Sequence, residues 1–425
     1  MENSAHNRTH PRQKIIPDLS RLPSFLPLLV VFFVVLTSAC GLAGYDESAV
    51  AQIEQTSLLR PGKGESELRT ATLLTKLVGA DETIDQKAQA MALGDETVAM
   101  GVLGPGAVYV FSHRLDGSWG QDAKLTVSDT TGLPTEGQLF GSRLAMNKAG
   151  TLLAVRGAQC GWPSTVFIFE RTGSSWRFKT ELIQPSPIAH DSSFGTGALA
   201  MNGDLLAVSA PLGLGAKLNE AGTILVYKRS GSTWTLQQNL QASDAMPRDG
   251  FGSALAMDAN TLVAGAPNAS SAYVFTLGAD GKFAEKQQLR PSDRIPLTQP
   301  SFGSSVALDG ASLLVGSPRQ RKTYSFSRSG GLFTQDPIVD GYWEDLFGGT
   351  VALSGNDAAI FAGGVWNLTW NLYHRTVGSG WSLQASLSSP PAWLEQPPGG
   401  LIGTTLFSQS RDERGLDVYT ISGAP

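Results

Sequence analysis

Four aspartates occupy one recurring place in this sequence. Asp85, Asp191, Asp249 and Asp345 each fall a few residues ahead of a repeated phrase that most often begins Phe-Gly. Gathered at one end of a ring, their carboxylates would bind a cation or a basic ligand. Each could equally cap its own turn, its side-chain oxygen accepting a backbone N–H in an Asx hydrogen bond. His190 lies beside Asp191, either as its partner or as one more solvated loop residue.

Other reactive groups are sparse. After the N-terminal segment the histidines are His113, His190 and His374, and none has metal-ligand spacing. His374 falls where other copies of the repeat carry Ser112, Glu170 or Lys228, which predicts a solvent-facing side chain. No serine occupies a G-x-S-x-G elbow. The glycines of 101–106 lack the helix and lysine of a phosphate loop. Cys40 and Cys160 are too few for a disulfide framework. Cys160 reads as an inert loop thiol, with a redox or partner-linking role as the alternative. Trp366 and Trp370 cluster with Tyr373. Exposed, they would stack on a sugar or anchor a protein; buried, they would pack a core.

Composition frames what must position these groups. Of 425 residues only 16% are charged, against roughly 25% in ordinary soluble domains, while 41% are hydrophobic and 48 are glycine. Low charge with abundant glycine favours short strands and tight turns over helical bundles or acidic tails. The net charge is −5, and no basic block follows the N-terminal segment, which argues against a nucleic-acid partner.

The strongest pattern is a repeat of about fifty residues, the length of a propeller blade. FGSRLAM begins at Phe140, FGTGALAM at Phe194, FGSALAM at Phe251, FGSSVAL at Phe302 and FGGTVAL at Phe347. Weaker copies begin at Lys87 (KAQAMAL) and Ile402 (IGTTLF), which makes seven. Each strong copy continues with a short turn and a second strand that in several copies ends at a proline: Pro211, Pro267 or Pro318. An alternating aromatic strand follows, then a Gly/Ser turn, then a last strand opened by Trp119, Trp176, Trp234, Phe283, Phe333 or Trp381. Four short strands per unit predict an all-β, seven-bladed propeller of four-stranded antiparallel blades, with six blades as the alternative. Glycine, alanine and serine suit the crowded inner strands, and proline stops a ladder it cannot donate to. The seventh copy runs out at Pro425 without an outer strand, whereas residues 67–82 (ELRTATLLTKLVGADE) form an orphan strand ahead of the first copy. The N-terminal strand is therefore predicted to complete the last blade and close the ring.

The pairs and triplets such as Phe251-Gly252 and Gly265-Ala266-Pro267 make this repeat similar to the FG-GAP repeat of integrin-type β-propellers, over about residues 68–425. Some blades of that family hold calcium in a D-x-D/N-x-D-G loop. No two aspartates here are separated by a single residue, so calcium and other cofactors are not expected.

Residues 1–39 differ from the rest. A polar stretch with Arg8, Arg12, Lys14 and Arg21 precedes an unbroken apolar run from Leu28 to Leu36, too short for the ~20 residues of a membrane span. Thr37, Ser38 and Ala39 then lead into Cys40. The segment resembles a bacterial lipoprotein signal, although Thr37 stands where that family prefers leucine. The resemblance implies cleavage after residue 39, lipidation of Cys40, a tether over 40–67 and a bacterial envelope location, with plain secretion as the alternative. Membrane attachment would then come from acyl chains, since an acidic chain gains nothing from an anionic surface. The expectation for function is a non-catalytic envelope or surface propeller that binds a protein or glycan. A propeller enzyme, hydrolase or lyase, with dispersed channel residues and a structural envelope scaffold are the alternatives.

Overall fold

The computed structural model describes residues 69–423, apart from 81–86, 103, 105, 132–138, 158–163, 185–192, 213–220, 294–299, 342–344, 364–367, 377–379, 390–397 and 411–413. These residues form seven antiparallel sheets. Blade I comprises Ala88–Gly94, Thr97–Val102, Ala107–His113 and Trp119–Thr126; blade II Leu144–Met146, Leu152–Gly157, Thr165–Thr172 and Ser175–Ile183. Blade III comprises Leu199–Asn202, Leu205–Ala210, Thr223–Ser230 and Thr233–Leu240; blade IV Ala254–Asp258, Thr261–Ala266, Ser271–Leu277 and Phe283–Leu289. Blade V has Ser305–Asp309, Ser312–Ser317, Lys322–Ser329 and an outer strand split into Leu332–Gln335 and Val339–Asp340. The split falls at Pro337, which has no N–H to donate. Blade VI comprises Val351–Ser354, Asp357–Gly363, Leu368–Thr376 and Gly380–Ser389. Blade VII joins Gly399–Ile402, Thr405–Gln409 and Leu416–Ser422 to Thr70–Leu77 from the other end of the chain. The seven first strands follow one another around a central channel, and Gly399–Ile402 meets Ala88–Gly94 to close the ring. The fold is a seven-bladed β-propeller.

Thr70–Leu77 is a true outer strand and not a loose addition. It carries an extra residue at Leu74, opposite Val418 and Tyr419. The outer strands of blades I, II, III, IV and VI carry the same bulge opposite the same position of the third strand. A bulge bends its strand and increases the local twist, so these outer strands share one local distortion.

The core consists of seven clusters, one at each blade seam. Phe140, Phe194, Phe251, Phe302 and Phe347 are fully buried there. Phe251, for example, packs with Ile224 and Val226 of blade III and with Tyr273 and Phe275 of blade IV. Its ring meets Tyr273 edge-on at 5.5 Å, a favoured aromatic geometry. Each such ring contributes about 1.5–3 kcal/mol by burial.

The seventh repeat begins earlier than its sequence suggests. Ile402 ends the first strand of blade VII and Gly403 lies in the following turn, so Ile402 is not equivalent to the leading phenylalanines. That blade has no Phe-Gly pair. Trp370 of blade VI fills the space instead, lying where a Cβ on Gly399 would come 2.0 Å from its ring.

Candidate functional site

The Phe-Gly turns and the second-to-third-strand connections emerge on one face of the ring, here the FG face. The first-to-second and third-to-fourth hairpins emerge on the other. The FG face is pinned by a recurring bond. The N–H groups of Gly141, Gly195, Gly252, Gly303 and Gly348 donate to the carbonyls of Arg156, Ser209, Gly265, Gly316 and Phe361 of their own blades. These five glycines have φ between 71° and 95°, the left-handed region.

Of the four aspartates of the predicted carboxylate ring, Asp249 and Asp345 are described, and each is engaged locally. Asp249 accepts the Met246 N–H at 2.7 Å and caps its own turn. Burial raises its carboxyl above the ordinary value, and the charge of Asp244 adds to the rise. Asp345 is paired with Arg321 of the preceding blade's second-to-third connection, while its carbonyl accepts the Gly363 N–H. Asp85, Asp191, His190, Cys160, Trp366 and the lipidation candidate Cys40 lie outside the described residues. Trp370 is 1% exposed and packs on Phe361 at 5.5 Å. It therefore belongs to the seam and not to a ligand rim, because blade VII lacks the phenylalanine that would fill that seam.

The first strands offer little acid–base chemistry. Met91, Leu93, Leu255, Met257, Val306, Leu308, Leu353 and Ile402 are half-buried there. Asp258 and Asp309 end their strands, and each accepts the turn N–H of the next blade, from Gly310 at 2.7 Å and Gly355 at 2.5 Å. No group of three potential metal-ligating side chains occurs among the described residues.

His374 is enclosed, contrary to its predicted solvent-facing position. Its Nδ1 lies 2.7 Å from Asp357, which also accepts from Arg69 at 2.7 Å. Arg69 just precedes the closing strand, so this cluster ties blade VII to blade VI. It belongs to a repeated inter-blade contact. Arg171, Arg328 and Arg375 donate to Thr97, Thr261 and Ser312, each at the start of the preceding blade's second strand.

Between the outer strands of blades I and II lies an open hollow of about 410 Å³, lined by Lys124, Asp129, Trp176, Arg177 and Phe178 among others. The Trp176 indole N–H has no partner among the described residues. In blade VI the equivalent Trp381 donates to Ser325 at 2.7 Å; Val110 replaces that serine beside Trp176.

Two arginines near the channel mouth were missed in the sequence. Arg143 follows a Phe-Gly turn where blades III, IV, V and VI carry Gly197, Ala254, Ser305 and Thr350. Arg156 stands where blades I, III, IV and V carry Gly101, Ser209, Gly265 and Gly316. The signal was available as two large cations, Arg143 where four other blades hold small residues and Arg156 where blades I, III, IV and V do, although blades VI and VII carry Phe361 and Gln409 at the latter place.

Ring, seams and face together define a β-propeller whose connections are presented on a seam-locked scaffold. Residues 234–275 match the family model described as FG-GAP repeat. No curated protein matches the chain. Among solved structures, a chain of the mitotic checkpoint complex is similar at a TM-score of 0.54 and 16% identity, covering 86% of this chain and all of that one. A candidate 6-phosphogluconolactonase from Bacteroides uniformis also gives 0.54, at 13% identity, covering 77% of this chain and 92% of its own. The WD40 repeats of RRP9 give 0.54 at 10% identity, covering 83% and 97%. These likenesses establish the fold alone.

Proposed function

We propose that this protein is a non-catalytic, envelope-anchored or surface propeller that binds a protein or glycan through its FG face. The observation that carries the reading is a contrast between seam and connection. Gly252, Gly303 and Gly348 make one and the same bond, whereas the connections beside them differ from blade to blade. Pro267–Ala269 and Pro318–Gln320 are tight 3-10 turns closed by Ser270 and Arg321, while blade III uses the longer run 211–222. Rigid scaffolds with variable loops are built for recognition. Lipid at Cys40 would hold the propeller outside the cytoplasm.

The enzyme reading has one feature in its favour, the Asp357–His374 pair. Asp357 is already engaged by Arg69, and both side chains are about five-sixths buried at a seam, with 16% and 15% exposed. That arrangement suits a structural latch.

Two measurements test the proposal. Cys40→Ala should move the full chain from the membrane to the soluble fraction; unchanged fractionation contradicts the anchor. The full chain should retain an envelope protein or glycan and release it chemically unchanged. A ligand recovered cleaved contradicts the non-catalytic reading.

A further inference from the structure

The pair Arg143 and Arg156 deepens the binding proposal and rests on it. Arg156 is 7% exposed. Its Nε donates to Ser164 Oγ at 3.1 Å and its Nη1 to Ser142 Oγ at 2.9 Å. Arg143 Nη1 donates to the carbonyl of the same Ser142 at 2.8 Å, and its Nε reaches the Gly197 carbonyl of blade III at 2.7 Å. Two guanidinium groups thus converge on one serine, beside the first strands of blades II and III. Arg143 is exposed, and Arg156 lies mostly buried beneath it.

Neither arginine meets a carboxylate among the described residues. Arg171, Arg229 and Arg375 do, at Asp122, Glu170 and Asp336. A buried cation without a counter-charge is costly, and two together repel. Burial lowers the Arg156 guanidinium to about 10, and the charge of Arg143 adds to the fall. Arg156 therefore remains charged at neutral pH. The scaffold does not require an arginine at either place: the other Phe-Gly turns carry Gly197, Ala254, Ser305 and Thr350 in place of Arg143, and the other second strands carry Gly101, Ser209, Gly265, Gly316, Phe361 and Gln409 in place of Arg156. The Nη2 of each has no protein partner among the described residues, so the pair keeps donors for a ligand. Guanidinium forks match the two oxygens of a carboxylate or phosphate.

We infer that Arg143 and Arg156 form an oxyanion site at the channel mouth of the FG face, which takes the carboxylate or phosphate of the bound ligand.

The test uses the full chain and two probes, sodium phosphate and sodium glucuronate, each against sodium chloride at equal ionic strength. The melting temperature should rise saturably with at least one probe, since an anion held only by the native state stabilises it. A rise with glucuronate assigns a carboxylate, and a rise with phosphate alone assigns a phosphoryl group. Arg143→Gln should weaken the response at least tenfold, measured as the shift from that variant's own probe-free melting temperature, since the substitution also removes the bond to the Gly197 carbonyl. Arg156→Gln should abolish it, and circular dichroism reports whether that variant folds. No rise beyond chloride, or an undiminished rise in Arg143→Gln, overturns the site. Capture of an envelope ligand separates this failure from failure of the binding proposal. Capture that persists while neither probe binds removes only the oxyanion site; absence of capture removes the binding proposal.

Discussion

Gly265 and Gly303, from neighbouring blades, touch at a point where no side chain fits: a Cβ on Gly265 would lie 2.0 Å from the Gly303 carbonyl oxygen. The same relation holds between Gly101 and Gly141 and between Gly316 and Gly348. The middle of one blade's second strand and the Phe-Gly turn of the next are thus two halves of a single contact. At these three seams the second-strand glycine and the Phe-Gly turn of the next blade must occur together.

Gly265→Ala should therefore destabilise the propeller by about 3 kcal/mol, the upper part of the range for overpacking. Gly281→Ala is the comparison. Its Cβ meets nothing, and its φ of 75° leaves a backbone cost of about 1 kcal/mol. Urea denaturation midpoints measure both. Equal losses would contradict the seam contact.

Closure of the ring predicts a second result. Deleting residues 68–80 removes the outer strand of blade VII together with Arg69, and unfolding should lose its single cooperative transition. Arg69→Ala alone leaves Asp357 without its guanidinium in a largely buried place, a loss of about 3 kcal/mol. An unaltered melting curve in either variant contradicts closure by this strand.

Acid should loosen the seam between blades II and III. Glu170 bridges Lys179 of its own blade and Arg229 of the next. The Lys179 hydrogen bond, with the Arg229 charge, holds its carboxyl below the usual glutamate range. A folded-state value below the unfolded one stabilises the protein above the unfolded value, roughly 4.3, and that contribution is lost as pH falls through the folded value. The advantage of wild type over Glu170→Gln should be constant above about pH 5 and shrink steadily below about pH 4. A gap that widens in acid would reverse the assignment.

Calcium should leave the melting temperature unchanged, since a ligand bound only by the native state must raise it. A saturable rise with added calcium would show that the carboxylates bind a metal, with Asp249 and Asp345 the first to examine.

Much of the architecture was legible in the sequence because five blades open on Phe-Gly and three of the seams are written a second time, as the second-strand glycines Gly101, Gly265 and Gly316. The orphan strand at 67–82 was legible for a related reason: it matched the outer strands that other blades already had. The start of the seventh repeat was not, because the residue that fills its seam, Trp370, comes from the preceding blade. The same displacement made Trp370 look like a rim residue. Arg143 and Arg156 escaped notice because a lone arginine, whether beside a strand like Arg143 or within one like Arg156, reads as solvent-facing. Only their convergence on Ser142 sets them apart. His374 was misplaced because its partner Arg69 comes from the far end of the chain.

The most direct test of the account is hydroxyl-radical footprinting of the full chain, with and without envelope extract. Binding through the FG face predicts protection around Arg143, Asn268 and Arg321 and none at the hairpin turns around Asp116, Asp280 and Gly330. Protection confined to those hairpin turns would contradict it.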